Sequence, residues 1–561
     1  MIPLNISPVT LVLCGSIVTA SIAYVVLVVG HRRKGFPPGP PTLPVIGNIH
    51  QLPTTGAHFK LRSISTNRWA GRKTNHLTLH YRSRFTEWAQ KYGGIYSLKL
   101  GTGTALVITD REIVKKLMDK KSSITSDRPP SYVSHDLITK GDHLLVMHYN
   151  DSWRRIRKYM HQFFRESECE KKHIALQDAE ATQMMLEFLE TPDNHHLHTK
   201  RFSNSIISTL LFGVRTPTYD SPHAKHLYDI MERWSAVMEP GNTPPVDIYP
   251  IFKYIPESLF GNWISRASGV GRDMERLYAN MISQFKRRAE DPKIQRTHES
   301  FFDILLREQE KTREFTDHEI AFIGGVQLEG GSDTSASILT AFVQAMVNWP
   351  EVQRIAQEEI DRVIGDDRSP TWSDFAALPY INAIMKETHR WRPVTPLSFP
   401  HCLTKDEYLD GYFLPKDSTI ILNVWGIQND ESVYPRPEEF DPSRFKDHKL
   451  LAPEYAVSDW KMRDHYSFGV GRRICPGIHL AERNVWLGVA KLLWAFKFEK
   501  ATGADGQPIE MNVDPKTGYT EGFLHCALPF KCKVTVRSEE RRKTILKEFE
   551  LAKDIFKGYT G

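Results

Sequence analysis

The chain has 561 residues and a mass of 64.5 kDa, and its 40% hydrophobic, 11% aromatic and 25% charged side chains exclude a disordered or collagen-like polymer and supply a large core. Its 73 basic and 67 acidic residues leave a formal charge of +6, and no repeat at a solenoid or propeller period is present. Six cysteines (Cys14, Cys169, Cys402, Cys475, Cys526, Cys532) include no CxxC pair, which excludes a zinc module of that spacing and a dense disulfide framework.

From Met1 to Gly30 no side chain is charged, and Val9 to Val29 has the length to cross a bilayer at ~1.5 Å rise per residue. His31-Arg32-Arg33-Lys34 follows at once, whereas a secretory signal carries its cations before the apolar run and a small-residue cleavage site after it. Residues 1–30 therefore read as a retained transmembrane anchor, with the body on the cytosolic side. Residues 31–53 form a basic, proline-rich connector: five prolines between Phe36 and Asn48 forbid helix and favour a stiff extended chain.

Gly93 to Asp110 alternates apolar residues about Gly101-Thr102-Gly103 and predicts a β-hairpin. Most of the remainder predicts helix. Thr316 and Glu319 form a capping box, and apolar positions then run to Trp349 before Pro350, giving a helix of some 30 residues where three or four turns are usual. A second helix is expected from Glu351 to Ile364, closed by Gly365, and a third from Tyr380 to Trp391, before Pro393. Near the end, Ile545, Phe549, Ala552 and Phe556 share one face of an amphipathic helix. No polar, Gly/Ser-rich stretch separates two cores, so 54–561 reads as a single domain, mainly α with a small β portion.

Phe468 to Gly477 reads FGVGRRICPG, a cysteine among three glycines and two arginines. Taken alone, the loop is also compatible with an ordinary buried cysteine in a glycine-rich turn. The spacing Phe-x-x-Gly-x-Arg-x-Cys-x-Gly, however, resembles the haem-ligand signature of the cytochromes P450, and the resemblance extends over nearly the whole chain. It implies haem b with Cys475 as thiolate ligand of the iron, Phe468 shielding the sulfur, Gly477 admitting the next helix to the porphyrin, and Arg473 reaching a propionate.

Further motifs accompany the loop. Glu387-Thr388-His389-Arg390 matches the family's ExxR, and Asp441 to Phe445 supplies Arg444, so Glu387, Arg390 and Arg444 are expected to form a buried ionic network. Trp153 and Arg157 match WxxxR, and His401 follows a proline-rich strand; both are expected at the propionates. Read singly, Trp153 is equally a core aromatic and His401 a surface histidine. In the long helix, Gly330 to Ser335 matches (A/G)Gx(D/E)T(T/S). Two mid-helix glycines cost about 1 kcal/mol each relative to alanine, so a purely structural role explains them poorly. The resemblance makes Asp333 and Thr334 the acid–alcohol pair that delivers protons to oxygen.

On this resemblance the expected protein is a haem-thiolate monooxygenase of the endoplasmic reticulum membrane, with a cytosolic catalytic domain. It would insert one oxygen atom from O2 into a medium-sized organic substrate in fungal secondary metabolism. The chain resembles microsomal P450s of filamentous fungi. Electrons are expected from NADPH through a separate NADPH–cytochrome P450 reductase, with cytochrome b5 as a second candidate donor. Arg154, Arg155, Lys158 and Arg472 would form a basic docking patch. Residues 131–149, 246–260, 326–329, 394–397 and 522–524 are expected at the substrate cavity. The alternatives are an isomerase or dehydratase working without a reductase, and a non-catalytic haem-binding membrane protein.

One departure from the family lies at residues 61–84, which hold five arginines, one lysine and no acid, a charge equal to the +6 of the whole chain. The rest balances at 67 against 67, and no nucleic-acid partner is expected. The segment reads either as a basic loop at the membrane surface or as a retained intron translated in frame, its unpatterned composition favouring the second. No catalytic role is expected of it.

Overall fold

The computed structural model of the chain describes residues 8–52, 78–239, 241–291, 298–520 and 523–560. The uncharged N-terminal run forms α1 (Pro8–Leu27), whose described apolar side chains stand exposed. Among the described residues no helix is long and apolar enough to cross a membrane.

The connector is not a free spacer. Arg32, one of the cations after the apolar run, turns back to donate to the Gly39 and Pro40 carbonyls at 3.0 and 2.9 Å and to Ser97 Oγ at 2.9 Å. Buried Asn48 accepts from the Lys99 amide at 2.8 Å. These bonds lay the proline-rich stretch along the first strand.

Residues 61–77 of the basic segment lie outside the described residues, and α2 (Thr78–Tyr92) begins within its last part. The expected hairpin forms from β1 (Ile95–Leu100) and β2 (Gly103–Ile108), turning at Gly101 with φ +60°. The other strands are β3 (His401–Cys402), β4 (Glu407–Leu409), β5 (Tyr412–Leu414), β6 (Thr419–Leu422), β7 (Phe496–Lys500) and β8 (Cys532–Val536). One sheet has the order β1-β2-β6-β3, with β2 and β6 parallel and the other neighbours antiparallel. β4 with β5 and β7 with β8 make two-stranded ribbons.

Helices dominate the rest: α3 (Asp151–Phe164), α4 (Ile174–Glu190), α5 (His195–Phe212), α6 (Pro222–Met238), α7 (Trp263–Glu290), α8 (Asp317–Asn348), α9 (Pro350–Val363), α10 (Pro379–Trp391), α11 (Ile478–Ala495) and α12 (Glu539–Phe556). The capping box at Thr316 and Glu319 starts the 32-residue α8, as expected. Pro350 does not simply stop it. Trp349 is at once the C-cap of α8 and the N-cap of α9, and Pro350 takes the first helical position, where its missing N–H costs nothing. Gly365, at φ +73°, lies just past the end of α9. The central helix α8 packs against α5, α7, α10 and α11, which together bury most of the main apolar cluster. Ala552 and Phe556 of α12 are buried against Ala179 of α4, with Phe549 beside them.

Candidate functional site

A cavity of about 300 Å³ lies between the cysteine loop and α8. Cys475, Phe468, Arg473, Gly477, Trp153, Arg157, His401 and Thr334 all line it. Residues spread from Trp153 to Gly477 thus meet at one place.

The loop is shaped by backbone contacts. Gly471 has φ +58°, and a Cβ there would stand 2.4 Å from the Met118 carbonyl oxygen, so both conformation and approach require glycine. Its N–H donates to Asp119 at 3.0 Å, and the Cys475 N–H donates to the Phe468 carbonyl at 2.9 Å. Burial pushes the Cys475 thiol upward, opposed by the Arg157 guanidinium and by a hydrogen bond from the Gly477 N–H. Gly477 caps α11, and a Cβ there would meet nothing within 4 Å, leaving room for a flat group above it.

Trp153 and Arg157 lie one turn apart on α3, whose N-cap Asn150 accepts from the Trp153 amide at 2.8 Å. Both side chains are buried, yet Trp153 Nε1 and Arg157 Nε and Nη2 have no hydrogen-bond partner. Buried donors without acceptors are costly, so these mark the place of an absent acceptor. Arg473 donates to the carbonyls of Ser126, Leu144 and Met147 at 2.8, 3.0 and 2.7 Å and lies 4.5 Å over the Trp153 ring. Burial and the Arg128 guanidinium lower it to about 8. Such a cation gains from an anion beside it. His401 bonds through Nδ1 to the Thr125 carbonyl at 2.8 Å, which fixes Nδ1 as the donor. Its Nε2 can then donate to a carboxylate only when the ring is protonated, a state that burial, Arg128 and Arg473 oppose.

The structure brings Glu387, Arg390 and Arg444 together. Arg390 Nε and Nη2 donate to the two oxygens of Glu387 at 2.6 and 2.8 Å, and Arg444 Nε lies 3.5 Å from Glu387. The Asp441 amide adds a bond to Glu387 at 2.9 Å.

On α8 the structure separates residues that the sequence groups. Gly330 has nothing within 4 Å of a built Cβ and opens to the cavity, whereas a Cβ on Gly331 would stand 2.6 Å from Ile207 of α5. One glycine makes space and the other permits close packing. Thr334 lines the cavity with its hydroxyl donating to the Gly330 carbonyl at 2.7 Å. Asp333 is not among the lining residues. Burial raises its carboxyl above the ordinary range, opposed by Lys200.

Of the expected substrate segments, His143, Leu144, Leu145, Val326, Gln327, Glu329, Val394, Thr395, Phe523 and Leu524 reach the cavity. No residue of 246–260 does: Ile251, Tyr254 and Leu259 there face outward, and Gly522 lies outside the described residues. The basic patch is exposed but partly paired, Arg154 with Asp151 and Arg155 with Glu314 at 3.0 Å, while Arg472 donates to the Tyr149 hydroxyl. Sequence reading missed Arg128, a third buried guanidinium on the cavity, lowered to about 9 by its burial and bonded to the Leu145, Phe399 and Pro400 carbonyls. Its only signal is Asp127-Arg128-Pro129-Pro130, which has no periodicity to read.

The family model described as Cytochrome P450 matches residues 69–521. The chain is 91% identical over 561 residues to a cytochrome P450 monooxygenase of Arthrobotrys oligospora, covering all of both chains. It is 52% identical over 524 residues to cytochrome P450 monooxygenase yanC of Aspergillus niger, and 51% over 527 residues to macC of Penicillium terrestre, covering 93% of each chain in both cases.

Proposed function

The chain belongs to the cytochrome P450 family, and from that premise we propose that it is a membrane-anchored haem-thiolate monooxygenase of fungal secondary metabolism, taking electrons from NADPH through a separate reductase. The observation that carries the reading is that Cys475 and Thr334 share one cavity beside the orphaned buried donors of Trp153 and Arg157. These residues fit a haem. Its propionates would answer Trp153, Arg157 and Arg128, with Arg473 and His401 alongside, and its plane would fill the space over Gly477. When bound, haem with a thiolate ligand activates dioxygen for insertion into a C–H bond.

The protein's own part is to hold and to meter. The Gly477 N–H and the nearby Arg157 cation favour the anionic sulfur of Cys475. Thr334 Oγ1 presents a hydroxyl to the cavity, and passing its proton inward requires release of the Gly330 carbonyl. Asp333 acts from outside the lining, so its proton would reach the cavity only through Thr334 or water. Apolar walls such as Ile207, Met231 and Phe523 exclude bulk solvent.

The uncharged run at the N-terminus, followed by His31, Arg33 and Lys34, supports an anchor in the endoplasmic reticulum membrane with the domain on the cytosolic side. Arg154, Arg155, Lys158 and Arg472 are the candidate contacts for the acidic face of a reductase, and cytochrome b5 would meet the same patch. The test is the reduced carbon monoxide spectrum of the purified protein, with NADPH-dependent turnover alongside. The shifted thiolate band in the parent and its loss in Cys475→Ser support the reading, and product formed without NADPH would instead mark an isomerase or dehydratase.

A further inference from the structure

Just upstream of the cysteine loop, α10 grips the chain at successive points. Lys386 Nζ donates to Asp464 Oδ2 at 2.7 Å, both side chains being buried, and the His465 amide donates to Asp464 Oδ1 at 2.8 Å. One turn along the helix, the His389 ring stacks on the His465 ring with centroids 4.6 Å apart and planes 14° from parallel. The His389 carbonyl accepts from Ser467 Oγ at 3.0 Å, and the Ser467 N–H points at His465 Nδ1 at 3.3 Å. Phe468 comes next. Its ring centroid lies 5.2 Å from that of His389 and 5.4 Å from that of His465, and its carbonyl takes the Cys475 N–H. The three rings form one cluster at the start of the cysteine loop, and His389 and Phe468 both line the cavity.

His389 is only 4% exposed, yet neither of its ring nitrogens has a hydrogen-bond partner among the described residues. Burial, with His465 beside it, holds the His389 imidazole well below its ordinary value, and burial lowers His465 to about 4, so both rings are uncharged at neutral pH. The contacts of the His389 side chain are therefore those of a flat neutral ring. Its place is set by the network around it. Glu387 and Arg390, on either side of it in α10, bond to each other, and Arg390 also donates to the Gln428 and Glu439 carbonyls at 3.0 and 3.2 Å, which fixes the rotation of the helix.

We propose that His389, through its stack on His465, is a positioning residue for Phe468, holding that ring at the cysteine loop and thereby setting the reduction potential of the bound haem. This rests on the haem-thiolate reading of Cys475 and deepens it. The apolar shell around a metal ligand controls its access to water and with it the potential of the metal. A phenyl ring free to leave the loop admits water to the sulfur. More polar surroundings favour the reduced form, which carries one more negative charge, so loosening Phe468 raises the potential.

Spectroelectrochemical titration of the full-length holoprotein and of His389→Leu, His389→Phe and His465→Leu tests the proposal, with the reduced carbon monoxide spectrum of the same samples. Both leucine variants should raise the ratio of reduced to oxidised haem at a fixed potential about tenfold, a shift of about 59 mV for one electron, and should lower the share of the complex that absorbs in the shifted thiolate band. His389→Phe keeps a flat ring in the stack and should stay close to the parent in both readouts. A merely structural role would lower the thermal midpoint and leave the potential of the holoprotein at the parent value, and that result overturns the proposal. A shift as large in His389→Phe as in His389→Leu overturns it too, because the ring nitrogens and not the ring would then matter. Should His389→Leu fail to retain haem, His465→Leu decides from the other side of the stack, and an unchanged potential there overturns the proposal. A parent without the thiolate band would instead overturn the haem-thiolate reading itself.

Discussion

At the scale of single residues, the site separates binding of the sulfur ligand from use of oxygen. Cys475→Ser replaces a thiolate with an oxygen that is not ionised at neutral pH, so the expected outcome is folded protein lacking the thiolate–carbon monoxide band. Survival of that band would place the ligand on another cysteine. Thr334→Ala removes a hydroxyl that lines the cavity without touching the cysteine loop. We expect NADPH oxidation to continue while product falls several-fold and hydrogen peroxide rises, with substrate affinity little changed. Equal product per NADPH in variant and parent would remove Thr334 from proton delivery.

Whole elements carry a different contrast, because α8 holds two adjacent glycines with opposite surroundings. Alanine at either position gains about 1 kcal/mol of helix propensity. At 330 nothing opposes that gain, and Gly330→Ala should keep or raise the thermal midpoint while narrowing the cavity. At 331 the new methyl meets the β-branched Ile207 at 2.6 Å, and overpacking of a buried helix contact costs about 1–3 kcal/mol. Gly331→Ala should therefore melt below Gly330→Ala, and Ile207→Ala should restore part of the loss. A reversed order of the two midpoints would contradict this division of roles. The basic segment belongs at the same scale. Since α2 begins at Thr78, we expect deletion of 61–77 to leave haem content and turnover intact, whereas loss of folding would give the segment a structural role.

Across the whole molecule, several buried histidines set a common response to acid. Burial lowers His195, His198, His223 and His465 to about 4 in the folded protein. Between about 6.5, the ordinary value, and 4, the unfolded chain takes up protons that the folded chain refuses, so stability falls as pH falls through that window. Each such histidine contributes up to about 1.4 kcal/mol per pH unit there. The urea midpoint of the holoprotein should be level above pH 7 and drop steeply from pH 6 to 4.5. A flat midpoint over that range would show that these histidines are solvated.

Some of this was legible in the sequence because its physics is local. Capping at Thr316, the hairpin around Gly101 and the apolar face of α12 depend on neighbours a few residues apart, and the spacing around Cys475 specifies a loop that little else would need. The ionic network was legible only through resemblance, since nothing local ties Glu387 to Arg444. Tertiary structure alone decided the rest. It folded Arg32 and the prolines onto β1, split Gly330 from Gly331, and kept Asp333 and the segment 246–260 off the cavity lining. It also brought Arg128 and His143 to a cavity reached from α8 and set the Tyr278 hydroxyl against Glu329 of that helix. The physical reason is that a side chain's chemistry follows its burial and its partners, and these are supplied by segments distant in the chain whose approach no local pattern encodes.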